Sequence, residues 1–336
     1  IEKRLLLLKN PKIMLDKPMS KNDPIPFFPF LLDDHSRTEH SEMSMTFWIR
    51  GERYVLDIEF DEYRIYTEKL NVYISCRRPT LLYDRKYQDD KDYSNVTFGK
   101  KAGIDMVTKR AIMGNTTNNC TVMAAFGQSN AVTSRLNDVY DYFCTGMNDI
   151  LSPRGTLSFD VRDDLNNDTN GKLRSFLLKM LSMSDFNIVD MAIENIEEKI
   201  TPEMEVVIMN SPMPDEQKIE MLRRGTIRHE DLIFRHRGDN GLFALHERFE
   251  SAGTMRFLEM SAMLYHAINA NSLFLIDEIE SSIHYELLSY YIKLFLANSE
   301  GTSQLLLTAH DINLLNEDFI RRDVIWFADK DKCGAT

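Results

Sequence analysis

Two adjacent carboxylates, Asp277 and Glu278, directly follow the apolar run 273–276. A run that is apolar at every position is typical of a parallel strand covered on both faces, and functional groups lie beyond the carboxyl ends of such strands. Neighbouring carboxylates at the edge of an apolar core repel each other unless a cation or a catalytic role compensates. A magnesium ion with a nucleotide fits this position: Asp277 would hold the metal through its water shell, and Glu278 would polarise the water that attacks the γ-phosphate. The alternative is an acidic cap for a helix beginning near Ser281.

A second apolar run, QLLLTAHD, leads to His310. If the two strands are parallel neighbours, His310 lies beside Glu278. A histidine in that place can hydrogen-bond the γ-phosphate of a nucleotide and respond to its loss. The alternative is an ordinary packed or surface histidine.

A Ser-x-Gly turn, Ser251 to Gly253, precedes a segment whose apolar residues recur at spacings of three and four. This spacing predicts a helix. The turn would offer an anion free backbone N–H groups, a hydroxyl and the positive end of the helix dipole. The alternative is a plain serine cap.

The composition is that of a globular chain with an acidic balance, with 336 residues, 43% of them hydrophobic, and a formal net charge of -12. That charge disfavours a surface that contacts nucleic acid throughout. Four scattered cysteines predict neither a zinc site nor a disulfide framework. No apolar run reaches the roughly 20 residues of a membrane helix. We expect a cytoplasmic protein with no membrane association.

The patterns predict three segments, residues 1–103, 104–231 and 232–336. The first would hold a helix over residues 1–9 and an antiparallel β lobe whose first hairpin turns at Arg50-Gly51-Glu52, and the second would be a helical insertion. The third would begin with a hairpin over residues 232–249, turning at Gly238 to Gly241. Its further predicted elements are helices over 253–270 and 282–297 and strands over 273–276, 304–308 and 323–328. This alternation predicts a parallel sheet covered by helices.

The order and spacing of SAGT, LFLIDE and TAHD resemble the ABC-type ATPases of the RecF, SMC and OLD group. There these motifs are the signature, the Walker B strand and the switch histidine. Within that group the chain is most similar to stand-alone bacterial AAA ATPases of antiphage defence systems. The sequences at 67–70, 81–86, 126–143 and 321–331 also resemble those ATPases. The resemblance implies an α/β fold: an ABC-type P-loop ATPase head with an antiparallel β lobe, a mainly parallel core sheet and a helical insertion.

The resemblance also implies roles for the motif residues, with ATP and Mg²⁺ as cofactors. Ser251, Gly253 and Thr254 would be the nucleotide-binding signature residues. Asp277 would be the magnesium carboxylate, Glu278 the catalytic base and His310 the switch. Ser281 opens the segment that takes the place of the D-loop, which crosses the dimer interface in this group.

The phosphate-binding P-loop is the point where the chain departs from the group. A P-loop reads G-x-x-x-x-G-K-[ST], and its backbone amides and lysine cradle the phosphates. Gly99-Lys100 and Gly171-Lys172 lack the remaining residues of that pattern. We expect the P-loop to lie upstream of Ile1; the alternative is a nucleotide-binding relic.

The resemblance implies head-to-tail dimers, or a higher homo-oligomer, with nucleotides sandwiched at the interface. The leading hypothesis is an ATPase that gates a separate effector protein, such as a nuclease or toxin, in antiphage defence. The alternatives are a DNA-binding repair ATPase of the RecF or SMC kind and a catalytically inactive nucleotide-binding scaffold. Retention of both Glu278 and His310 argues against the scaffold, because only hydrolysis needs them. The helical insertion would dock a partner, act as a sensor, or form a passive lid.

Overall fold

The computed structural model describes residues 23–32, 34–74, 78–152, 161–184, 187–211, 213–281, 283–298 and 303–329. The predicted helix over residues 1–9 lies outside these ranges.

An antiparallel five-stranded sheet follows the first loop and has the strand order β1-β2-β3-β4-β5. Its strands are β1 (Ser41–Ile49), β2 (Glu52–Phe60), β3 (Ile65–Tyr73), β4 (Thr80–Gln88) and β5 (Tyr93–Phe98). The turn between β1 and β2 is where the sequence predicts it, with φ of 49° at Arg50 and 78° at Gly51. Tyr54, Leu56 and Ile58 alternate with more exposed neighbours and are buried. The predicted antiparallel lobe is therefore confirmed, and β5 is an addition to it.

A buried ion pair stabilises the inner face of this lobe. Arg85 is fully buried and lies 3.7 Å from the Glu68 carboxylate. Its guanidinium also donates to the backbone carbonyls of Cys120, Thr117 and Asn118. These bonds offset the cost of burying the guanidinium, and they join the sheet to residues 117–120.

The segment after the lobe mixes helices with strands. Its helices are α1 (Met106–Asn115), α2 (Val122–Gly127), α3 (Ser134–Thr145), α4 (Val161–Asn167) and α5 (Lys172–Met183), and β6 (Met147–Leu151) lies between α3 and α4. The prediction that residues 104–231 form a helical insertion is therefore wrong at β6 and again at β7 (Ile188–Lys199). The apolar residues of β7 recur at spacings of both two and three. This mixed spacing does not allow a strand to be distinguished from a helix by sequence alone.

A second antiparallel sheet has the order β7-β8-β9, with β8 at Thr226–Gly238 and β9 at Gly241–His246. Helices α6 (Pro202–Asn210) and α7 (Asp215–Arg224) connect β7 to β8. Gly238 pairs with Gly241 across the turn, so the predicted hairpin is confirmed. The segment 104–231 thus contains strands of two sheets as well as helices.

After β9 the chain forms α8 (Ala252–Asn269), β10 (Leu273–Ile276), α9 (Tyr285–Asn298) and β11 (Gln304–Leu307). The strands β11, β10 and β6 form a parallel sheet in that order. Apolar residues of α8, α9 and β10 share one core with α5 and the β7–β8 hairpin. The predicted α/β class, with an antiparallel lobe and a parallel core sheet, is confirmed.

The predicted strand over residues 323–328 is wrong. A short 3-10 turn occupies Arg322–Val324, and residues 325–329 have no regular structure. Trp326 is 90% exposed and Phe327 is 79% exposed. A strand needs a hydrogen-bonding neighbour, and within the described ranges β11 pairs with β10 alone.

The helices of the described residues are all too short or too polar to span a membrane.

Candidate functional site

The carboxyl end of β10 positions Asp277 at the edge of the core. Leu275 and Ile276 are fully buried, and Asp277 is 4% exposed. The Asp277 backbone N–H donates to the carbonyl of Leu151 at 2.9 Å, which joins this point to the end of β6. The carboxylate is therefore held beside the apolar core at the edge where parallel sheets bind ligands.

Glu278 turns away from the strand. Its φ is +45°, in the left-handed region, which costs a residue with a Cβ roughly 1–2 kcal/mol. Its side chain is 48% exposed. The two adjacent carboxylates thus occupy different environments, one buried and one facing solvent.

Thr308, the residue that follows β11, bonds to both acidic residues. Its hydroxyl donates to Asp277 Oδ1 and accepts the Glu278 backbone N–H at 2.8 Å. The sequence analysis missed this residue, although a hydroxyl directly after an apolar strand and two positions before His310 was a visible signal.

His310 lies beside Glu278, as the parallel strand arrangement predicts. Its Nε2 is 3.6 Å from Glu278 Oε1, and its side chain is 66% exposed. The His310 backbone N–H donates to Glu280 Oε1 at 2.5 Å. Glu280 Oε2 is buried and has no hydrogen-bond partner within the described ranges. Glu280 is a second residue of the site that the sequence analysis did not select.

The signature-like turn caps α8. Ser251 Oγ accepts the Thr254 N–H at 3.0 Å and lies 2.8 Å from Thr254 Oγ1. Ser251 is therefore the N-cap of α8. As in the first turn of any helix, the N–H groups of Ala252 and Gly253 have no acceptor within the helix. Among the described residues no hydrogen bond or ion pair joins this turn to Asp277, Glu278 or His310.

Ser281 closes a tight turn behind the acidic pair. Its backbone N–H donates to the Glu278 carbonyl at 2.8 Å. Helix α9 begins only at Tyr285, so Asp277 and Glu278 lie too far upstream to cap it. The interpretation of the acidic pair as a helix cap near Ser281 is therefore wrong.

The start of α9 is tied to the segment after His310 by Glu317. Glu317 Oε1 accepts the Tyr285 hydroxyl at 2.6 Å and the Ser289 hydroxyl at 2.5 Å. Lys293 Nζ lies 3.4 Å from its other oxygen. The hydroxyl donors lower the pKa of Glu317, with Ser289 the largest cause, and the bond to Glu317 raises the pKa of Tyr285 to about 12.

The oxygen atoms of this site could supply only some of the six ligands of a magnesium ion. Carboxylate and hydroxyl oxygens are the hard donors that Mg²⁺ prefers, and the ion normally completes its six positions with water and phosphate oxygens. The part of the chain that the structure describes holds no group of three or more acidic, histidine or cysteine side chains arranged for a metal. The Asp277 carboxylate thus has the chemistry of a magnesium ligand, but it could supply only part of the coordination shell.

A cavity of about 580 Å³ opens on the antiparallel lobe, and Asp92, Arg110 and Asn118 are among its lining residues. None of its lining residues belongs to the site at β10 and β11.

Comparison with known proteins identifies a family for this chain. The family model described as "AAA domain, putative AbiEii toxin, Type IV TA system" matches residues 136–316. The SMC head domain from Thermotoga maritima is similar in structure, with 12% sequence identity and a TM-score of 0.29 over 80% of this chain and 68% of that one. No curated protein matches the chain.

Proposed function

Because the chain belongs to this AAA domain family, we propose that it is a magnesium-dependent enzyme that binds and hydrolyses ATP. The observation that carries the proposal is the group of Asp277, Glu278 and His310 at the carboxyl ends of two adjacent parallel strands. The group combines a buried carboxylate, an exposed carboxylate and an exposed imidazole. Hydrolysis of the β–γ phosphoanhydride of ATP uses a metal ligand, a group that orients water and a contact to the γ-phosphate, and the three side chains suit these roles.

Asp277 is the metal ligand in this proposal. Thr308 donates to its Oδ1, and Oδ2 would be the oxygen that faces the water shell of a bound ion. Bound Mg²⁺ would neutralise charge on the β- and γ-phosphate oxygens.

Glu278 and His310 act on the reacting end of the nucleotide. The exposed Glu278 carboxylate accepts a hydrogen bond from the attacking water and orients it. His310 lies within 3.6 Å of that carboxylate, so its ring can contact the same γ-phosphate. Loss of the phosphate would remove a partner from His310, whose backbone is bonded to Glu280.

The start of α8 serves a second nucleotide in our proposal. The unused N–H groups at Ala252 and Gly253, with the hydroxyls of Ser251 and Thr254, suit the phosphates bound by the other subunit of a head-to-tail dimer. Ser281 would lie at that interface. ATP would close the dimer and hydrolysis would open it.

The proposal requires a phosphate cradle in addition to these residues. No stretch of the 336 residues reads G-x-x-x-x-G-K-[ST]. The test of the proposal therefore uses the full native protein.

We further propose that the ATPase gates a separate effector protein in bacterial defence. The family description names a toxin and a toxin–antitoxin system, which favours this role over DNA repair. The basic residues that a repair role would use lie on separate elements, Lys100 and Lys101 after β5 and Arg224 on α7, where Arg224 is paired with Glu220.

ATP turnover by the full native protein tests the proposal, with Glu278→Gln as the principal variant. Glu42 is exposed on the edge strand β1, so Glu42→Gln is the matched control. We expect at least a hundredfold loss of turnover in Glu278→Gln, with ATP still bound, and no loss in Glu42→Gln. Asp277→Ala should instead weaken the magnesium-dependent part of ATP binding.

Turnover at the wild-type rate in Glu278→Gln would refute the assignment of the base. ATP binding without turnover in the wild-type protein would favour the scaffold. Tight DNA binding that weakens steeply with added salt would favour the repair ATPase.

A further inference from the structure

Thr308 contacts the site at four points. Besides its two hydroxyl bonds, its backbone N–H donates to the Ile276 carbonyl at 3.0 Å, and its carbonyl accepts the Ile279 N–H at 3.0 Å. The residues on both sides of the acidic pair are thus bonded to one residue of the neighbouring strand. The Asp277 carboxylate and the Glu278 peptide share the Thr308 hydroxyl.

The conformation of Glu278 makes this arrangement significant. Glu278 holds a left-handed φ of +45°, and such a conformation persists only where the surroundings fix it. Its amide is fixed by the Thr308 hydroxyl at 2.8 Å. The same hydroxyl uses its one proton for Asp277. A single O–H group therefore bonds both the Asp277 carboxylate and the backbone amide of Glu278.

We propose that Thr308 is the positioning residue of this site, an inference that rests on the proposed ATPase function. Through its bond to Oδ1, Thr308 would orient Asp277 so that Oδ2 could face the water shell of a bound ion. It also holds the Glu278 turn, which directs the carboxylate toward solvent and His310. In this role Thr308 would act through Asp277 and Glu278 and not by its own contact with the metal or the nucleotide.

Two substitutions separate this role from a packing role. Thr308→Val keeps the branched shape but removes both hydroxyl bonds, whereas Thr308→Ser keeps the hydroxyl. Thr97 is a matched control, because its hydroxyl also bonds across strands, to the Asp84 carbonyl at 3.2 Å, in the antiparallel lobe. Thr97→Val should leave every property of the site unchanged.

Steady-state kinetics of the full native protein give the first readout. Outer-shell partners of metal ligands typically change activity or metal affinity about 10- to 100-fold. We expect Thr308→Val to lower kcat about 10- to 100-fold, to raise the Mg²⁺ concentration for half-maximal activity, and to leave KM within about threefold. Thr308→Ser should restore kcat to within about threefold of wild type.

Hydrogen exchange of residues 276–280 gives a second readout that needs no activity. The Glu278 N–H should exchange at least about tenfold faster in Thr308→Val, and at the wild-type rate in Thr308→Ser, because loss of the acceptor frees this amide. Unchanged exchange in the valine variant would overturn the inference, as would unchanged kcat in a hydrolysing protein. A wild-type protein that fails to hydrolyse ATP would contradict the proposed function instead, and the exchange measurement would still decide the role of Thr308.

Discussion

Two fully buried tyrosines allow the cost of an unpaired hydroxyl to be measured within one chain. Tyr83 on β4 and Tyr291 on α9 both have 0% of their surface exposed. The Tyr83 hydroxyl donates to Glu68 Oε1 at 2.8 Å. The Tyr291 hydroxyl has no hydrogen-bond partner among the described residues. Replacement of each tyrosine by phenylalanine removes the same hydroxyl oxygen, which has a hydrogen-bond partner in Tyr83 and none among the described residues in Tyr291.

The expected magnitudes follow from the partners. Tyr83→Phe leaves an oxygen of the buried Glu68 without its donor, and bonds to charged groups contribute about 1.5–3 kcal/mol. Tyr291→Phe removes a group whose burial without a partner costs about 1–3 kcal/mol, so it should be neutral or stabilising. The two free energies of unfolding should therefore differ by roughly 1.5–6 kcal/mol.

Urea unfolding of the two variants and the wild-type protein tests this expectation. The midpoints are comparable where the slopes agree, since the slope reports the surface exposed on unfolding. Burial raises the pKa of both phenols, so both hydroxyls stay protonated at neutral pH. Equal destabilisation by the two substitutions would refute the reasoning, because it would mean that the Tyr291 hydroxyl has a partner.

The remaining predictions concern acid stability and close packing. The pKa of Glu317 is lowered from 4.5 by its hydroxyl donors, so its stabilisation is present above pH 4.5 and is lost as the pH falls through the lowered value. The difference in Tm between wild type and Glu317→Gln should therefore shrink between neutral pH and about pH 3, and a constant difference would contradict this. A Cβ on Gly99 would lie 1.9 Å from the Leu81 carbonyl oxygen, whereas one on Gly114 in α1 would meet nothing within 4 Å. Gly99→Ala should lower Tm and Gly114→Ala should raise it, and equal shifts in thermal melts would argue against the packing.

The elements that the sequence predicts well are those with an unambiguous apolar period. Leu273–Ile276 is apolar throughout, and the predicted strand has the bounds of β10. The hairpin before β9 turns at Asp239 and Asn240, between the paired Gly238 and Gly241, and such polar residues between glycines indicate a turn from the local sequence alone. Asp277 and His310 could be selected because each follows such a strand.

The failures occur where structure depends on a distant neighbour. The run 324–327 is as apolar as β10, yet it is not a strand, because apolarity does not supply a hydrogen-bonding edge. Met147–Leu151 carries Asn148 and Asp149 in its interior and still forms β6, since it pairs with the buried β10. Thr308 was missed for the same reason, because its importance lies in bonds to residues 31 and 30 positions away.

The left-handed turn at Glu278 explains how two adjacent carboxylates can persist at the end of a buried strand. In a continued strand, successive side chains would point to opposite faces, and a sheet covered on both faces would bury both charges. The φ of +45° ends the strand after Asp277 and leaves the Glu278 side chain 48% exposed. Only one carboxylate then needs a buried partner, and the Thr308 hydroxyl is that partner. The conformational cost of the turn is therefore smaller than the cost of burying a second charge, and the turn leaves the Glu278 carboxylate facing solvent.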